Sequence, residues 1–134
     1  MTENYDKIER LKQTMSIQTT SQYEDLIDDF IYEQVEKLNE PYIFIEQDAA
    51  NNIYVTKGIA DMYPCVVSHK DTVHDMHKDF KIAEHHGMMT AWNEKNEQVG
   101  IGGDDKVGVY ITLEMLRHFD NIKAVFFSQE EIGC

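Results

Sequence analysis

Two short apolar runs, each leading into groups that can bind a cation, constrain this chain most. Pro64-Cys65-Val66-Val67-Ser68 leads into His69-Lys70-Asp71, and Ile122 to Phe127 leads into Ser128-Gln129-Glu130-Glu131. Near-continuous apolarity over so few residues is the pattern of a strand covered on both faces, not of one that alternates between core and water. Pro64–Ser68 is therefore expected to be a central strand with Cys65 buried in it. Functional residues should then follow at its C-terminal edge, where open α/β sheets carry their sites. Before the second run, Val107, Tyr110, Ile111, Leu113, Met115, Leu116 and Phe119 recur with helical period, predicting a helix from about Lys106 to Phe119.

The rest of the chain fits the same alternation of elements. Leu26, Ile27, Phe30, Ile31, Val35 and Leu38 line one face of a helix, and acidic residues fill most of the other. Ser21 followed by Glu24 has the spacing of a capping box at its start, and Asn39-Glu40-Pro41 ends it. Asp6 to Met15 predicts a shorter helix. Tyr42–Ile45 and Ile53–Thr56 read as paired strands around a turn near Asn51-Asn52. Phe80–Ala83 and Met88–Trp92 read as a second hairpin turning at His85-His86-Gly87, with Asn93 to Gln98 polar and turn-like. Helices and parallel-type strands joined by short connections predict an α/β fold, a mixed sheet sandwiched by helices.

Composition removes several classes of function. The 134 residues are enough for one domain with a moderate core, and 42% apolar content excludes a mainly disordered polymer. Lys and Arg number 12 against 25 Asp and Glu, a net charge of -13 that repels nucleic acid and anionic membranes. No apolar run approaches the ~20 residues that cross a bilayer, and Met1 to Asp6 lacks the pattern of a signal peptide. Two cysteines, Cys65 and Cys134, make neither a disulfide framework nor a thiolate zinc site. A reducing cytoplasm is the expected compartment.

The chemistry concentrates at three exits. His69 and Asp71 stand two apart, so extended backbone can direct both to one side, the imidazole as ligand and the carboxylate as its orienter. Gly100, Gly102 and Gly103 precede Asp104-Asp105 and permit a tight backbone approach at the entry to a helix. An acidic cap on a turn would account for that pair alone. It does not account for a second adjacent pair, Glu130-Glu131, whose mutual repulsion needs a cation, a proton or solvent to offset it. Three such clusters favour a shared metal site. His74, His77, His85 and His86 read as loop and turn residues, not ligands. The Gly-rich segment lacks the spacing of a dinucleotide fingerprint.

The motifs His69-Lys70-Asp71-Thr72-Val73, Gly102-Gly103-Asp104-Asp105-Lys106-Val107-Gly108 and Phe126-Phe127-Ser128-Gln129-Glu130-Glu131-Ile132-Gly133 resemble, in order, those of the co-catalytic zinc aminopeptidase and carboxypeptidase superfamily. The nearest branch is the peptidase T-like, M20-type one, matched from about Ile8 onward as the N-terminal part of a catalytic domain. The resemblance implies two zinc ions in the complete enzyme, with His69 on one, Glu131 on the other and Asp104 bridging. It implies Asp71 orienting His69, an unusual peptide geometry at Asp104-Asp105, and Glu130 as general base. Lys70 stands where the family commonly has an apolar residue, and strand alternation should turn it away from the pair around it.

The implied activity is hydrolysis of small peptides, as an aminopeptidase or tripeptidase in preference to a carboxypeptidase or amide deacylase. The family's further acidic ligand and late histidine have no counterpart here. Each ion would then have two protein ligands where catalytic zinc ordinarily has three. An isolated chain without activity is expected, with a complementary C-terminal polypeptide or a homo-oligomer as its partner. The rival expectation is a non-catalytic interaction subunit of a split enzyme.

Overall fold

The computed structural model describes residues 2–133. Its elements run α1 (Thr2–Met15), α2 (Asp25–Leu38), β1 (Ile43–Gln47), β2 (Ile53–Lys57), β3 (Cys65–His69), β4 (Lys81–His85), β5 (Met88–Trp92), β6 (Gln98–Val99), α3 (Gly103–His118) and β7 (Ile122–Phe127), followed by a 3-10 turn at Glu130–Ile132. The expected mixed α/β architecture is present. β1, β2, β3 and β7 form one four-stranded sheet in the order β1-β2-β7-β3, and β4, β5 and β6 form a separate three-stranded sheet. Both expected hairpins form, β1 with β2 and β4 with β5.

In the larger sheet β2 lies antiparallel to β7, whereas β3 lies parallel to it. That parallel register sets His69 opposite Phe127. The residues leaving β3 and those leaving β7 therefore emerge side by side at one end of the sheet. α3 connects to β7 and crosses the sheet, so its N-terminus with Asp104 reaches the same end.

The core forms on one face of this sheet. Ile53 and Val55 from β2 and Ile122, Ala124 and Phe126 from β7 alternate inward onto Ile27, Ile31 and Val35 of α2 and Val109 and Leu116 of α3. The opposite face carries Phe44, Val67 and Phe127, all exposed. β3 is an edge strand and not the expected central one, and Cys65 is exposed where burial was expected. The apolar run predicted cover on both faces, but only Val66 and Ser68 face the packed side, where Thr112 Oγ1 donates to Ser68 Oγ at 3.4 Å.

The start of α2 also departs from expectation. Ser21 and Glu24 form no capping box: Glu24 itself is the N-cap residue and its side chain caps nothing. Both groups are committed elsewhere. Glu24 Oε1 accepts from Ser128 Oγ at 3.0 Å, Oε2 accepts from the Gln22 amide at 3.1 Å, and the Ser21 hydroxyl turns to Asp71. The far end follows the sequence, with Asn39 in the left-handed conformation (φ 50°) closing the helix. Among the described residues no helix is long and apolar enough to cross a membrane.

Candidate active site

His69, Asp104 and Glu131 each offer one ligand atom, and these three atoms lie within 4.8 Å of one another. They arrive from the end of β3, the first turn of α3 and the turn after β7. His69 Nε2 is 3.0 Å from Asp104 Oδ1, 3.6 Å from Glu130 Oε2 and 3.7 Å from Glu131 Oε1. The five residues singled out in the sequence thus fall in one place, Asp71 standing behind the imidazole.

Asp71 is fully buried. Its Oδ1 accepts from the Glu130 amide at 2.9 Å, and its Oδ2 accepts from the Glu131 amide at 3.0 Å and from Ser21 Oγ at 2.5 Å. The ring nitrogen His69 Nδ1 lies 3.0 Å from the Asp71 carbonyl oxygen and 3.3 Å from Oδ1. Both of those oxygens only accept, as does Asp104 Oδ1 at 3.0 Å from Nε2, so each ring nitrogen faces an acceptor and the tautomer of the neutral ring is set by the balance between the two sides. Asp71 therefore meets the imidazole through its carbonyl, with its carboxylate 3.3 Å away, and holds through that carboxylate the backbone that presents Glu130 and Glu131.

Asp105 performs a different task from Asp104. Its Oδ2 accepts from the His69 amide at 3.2 Å and its Oδ1 from the Gly108 amide at 3.1 Å, tying the exit of β3 to the first turn of α3. A side chain at Gly108 would collide with this carboxylate. The Asp104-Asp105 peptide is cis. Lys70 is turned away from the site, as alternation predicts. It is fully buried, donating to Asp28 Oδ1 at 2.5 Å and to the Asn51 carbonyl at 2.6 Å.

The electrostatics are those of an anionic pocket around one base. Burial works to lower the pKa of His69, but the hydrogen bond to Asp104 and the charges of Asp105 and Glu130 outweigh it and raise the value. Burial works to raise that of Asp71, yet the Ser21 hydroxyl and the amides of Glu131 and Glu130 hold it below the usual carboxylate range. Glu131 is pushed up, by lost hydration first and then by the charges of Asp104 and Glu130. Repulsion of this kind is relieved by a cation. One imidazole nitrogen with two carboxylate oxygens is a donor set that fits zinc and its divalent neighbours, so these residues fit a metal.

Sequence reasoning missed Ser21, whose contact with Asp71 spans 50 positions, and the buried amine of Lys106. Ser21 carried a signal for a helix cap, which was the wrong one. His74, His77, His85 and His86 take no part in the cluster; His77 lies in a loop held by Gln18, and His85 and His86 sit at the β4–β5 turn.

No family model matches this sequence, and no curated protein matches it. Solved structures do. A tripeptidase from Staphylococcus aureus aligns over 95% of this chain and 37% of its own, with a TM-score of 0.74 and 21% identity. The aminopeptidase PepT from Bacillus cereus aligns over 95% and 37%, with a TM-score of 0.71 and 17% identity. An aminoacylhistidine dipeptidase from Vibrio alginolyticus aligns over 93% and 28%, with a TM-score of 0.67 and 17% identity. The expected likeness to the peptidase T-like branch thus holds at the level of fold. The chain has the fold of these peptidase structures over little more than a third of their length.

Proposed function

We propose that this chain is part of the catalytic domain of a zinc-dependent peptidase that hydrolyses small peptides, an aminopeptidase or tripeptidase. The observation that carries the reading is the convergence of His69, Asp104 and Glu131 donor atoms within 4.8 Å from three separate elements. The order of the surrounding motifs and the fold of the tripeptidase and aminopeptidase structures support it. In this reading His69 would hold one zinc ion, Glu131 would hold a second, and Asp104 would serve both. A bound zinc ion supplies Lewis acidity toward water and a peptide carbonyl.

The chain's own residues divide the remaining work. Asp71 keeps the proton on His69 Nδ1, so Nε2 presents its lone pair. Glu130, half-exposed with Oε2 3.6 Å from His69 Nε2, accepts a proton from the attacking water and returns it to the leaving amine. Its amide is anchored on Asp71, so the carboxyl can change protonation while its backbone stays fixed.

Because the chain spans 37% of the tripeptidase's length, we propose that further ligands come from polypeptide outside these 134 residues. Alone, the chain is then inactive. The rival, an interaction subunit without catalysis, draws on the same short coverage and on the open sheet face. The test is hydrolysis by the purified chain, with and without a complementary polypeptide, on free-amino and amino-blocked tripeptides. Zinc-dependent cleavage of the free-amino peptide on complementation supports the aminopeptidase reading. Equal cleavage of both peptides removes aminopeptidase specificity, and a stable complex with neither zinc nor activity favours the rival.

A further inference from the structure

We infer that Ser21 is a positioning residue for the metal site, acting on His69 through Asp71; the inference rests on the metal-site reading above. Ser21 ends a strap, residues 17–21, that leaves α1 and runs along the exit of β3. The Thr72 amide donates to the Thr19 carbonyl at 2.7 Å, the Ser21 amide donates to the Thr72 carbonyl at 3.1 Å, and Thr19 Oγ1 donates to the Lys70 carbonyl at 2.7 Å. Lys106 Nζ secures the near end, donating to the carbonyls of Met15 at 2.6 Å and Ile17 at 3.0 Å. The strap is therefore tied both to the segment that carries His69 and Asp71 and to the helix that carries Asp104. At its tip, Ser21 Oγ donates to Asp71 Oδ2 at 2.5 Å.

The hydroxyl matters because of what Asp71 must do at once. Oδ1 faces the His69 ring and takes the Glu130 amide, while Oδ2 takes the Glu131 amide. Rotation about the last bond of an aspartate is soft. The two amides lie on adjacent residues of one turn, and Ser21 is the donor that comes from a separate part of the chain. Without it Oδ2 keeps one donor, and the carboxylate plane is free to tilt so that the charged Oδ1 leaves the imidazole, whose Nδ1 then faces only the neutral Asp71 carbonyl while Nε2 still faces the carboxylate of Asp104. The preference for a proton on Nδ1 then weakens, and with it the availability of Nε2 to a metal. A hydroxyl that only held the strap would leave the ring unaffected, because the strap's backbone bonds to Thr72 remain.

The experiment compares wild type, Ser21→Ala and Ser21→Thr in the full chain. Imidazole nitrogen NMR of the metal-free protein, at a pH where His69 is neutral, reads its tautomer. Chelator competition reads zinc affinity, and thermal unfolding reads stability. Ser21→Ala is expected to reduce the Nδ1–H tautomer of His69 and to weaken zinc about 3- to 10-fold, less than loss of the orienting carboxylate itself. Ser21→Thr, which keeps the hydroxyl, is expected to restore both. If Ser21→Ala keeps the wild-type tautomer, or if folded Ser21→Thr restores neither quantity, the inference is overturned. Should the wild-type chain bind no zinc, the metal-site reading fails, and the tautomer comparison alone decides the role of Ser21. Should Ser21→Ala not fold, Ser21→Cys, similar in size but a weaker donor, replaces it under the same criteria.

Discussion

Asp71 shows how much a single buried carboxylate can organise when three donors from separate residues converge on it. It accepts from a hydroxyl and two amides and lies beside an imidazole, so its charge is held by hydrogen bonds in place of water. Asp71→Asn keeps the volume but brings an amide nitrogen to donors that need an acceptor. Zinc affinity, read by chelator competition, should fall about 10- to 100-fold, and unchanged affinity would remove Asp71 from the site. His69 gives a pH dependence of definite sign. Its pKa in the folded metal-free chain is raised above the ordinary 6.5. The stabilisation it brings is therefore fully present below 6.5 and is lost as pH rises through the folded value. Urea unfolding of wild type and His69→Gln should show an advantage for wild type that shrinks as pH rises. An advantage that does not vary with pH would contradict the raised value.

At the scale of elements, Lys106 in the first turn of α3 does work that its place in the Asp104-Asp105-Lys106 motif conceals. It is 2% exposed, donates to the two carbonyls that end α1 and begin the strap, and lies 5.0 Å from the centre of the Phe80 ring. Burial alone lowers its pKa from 10.5 to about 8. Below about 8 both folded and unfolded chains hold this proton, and the cost of burying the charge is present in full. Between about 8 and 10.5 the unfolded chain holds more protons, so stability rises with pH across that window, by on the order of 3 kcal/mol from this group. Lys106→Met should remove that rise while leaving the Met15 and Ile17 carbonyls without their donor. Denaturant unfolding of both proteins across the window checks it, and parallel curves would show that the amine is neutral or solvated throughout.

For the whole molecule, the controlling fact is that helices cover one face of the main sheet. Phe44 and Val67, each 59% exposed, lie on the other face with Phe127, and β3 leaves an edge unpaired among the described strands. Such a surface promotes association. Val67→Lys should reduce concentration-dependent self-association in sedimentation velocity and shift stability by no more than about 0.5 kcal/mol; undiminished association would place the contact elsewhere. In the complemented enzyme of the proposed function, Glu130→Gln should lower turnover on the order of 10²–10⁴-fold while zinc content holds. Normal turnover with zinc bound would assign the base elsewhere. By itself the sequence marked most of the elements and the five motif residues that the fold brings together. Helical periodicity, the hairpin turns and the three motifs are local patterns, and His69, Asp71, Asp104, Glu130 and Glu131 sit where those patterns end. Tertiary structure decided the rest, because each remaining feature depends on partners far along the chain. Cys65 and Val67 are exposed because β3 pairs on one side with β7 and nothing packs over their face, a neighbour relation that an apolar run does not encode. Ser21 and Glu24 had the local spacing to cap α2, but the stronger demand came from buried Asp71 and from Ser128, groups the fold brings to them from across the sheet.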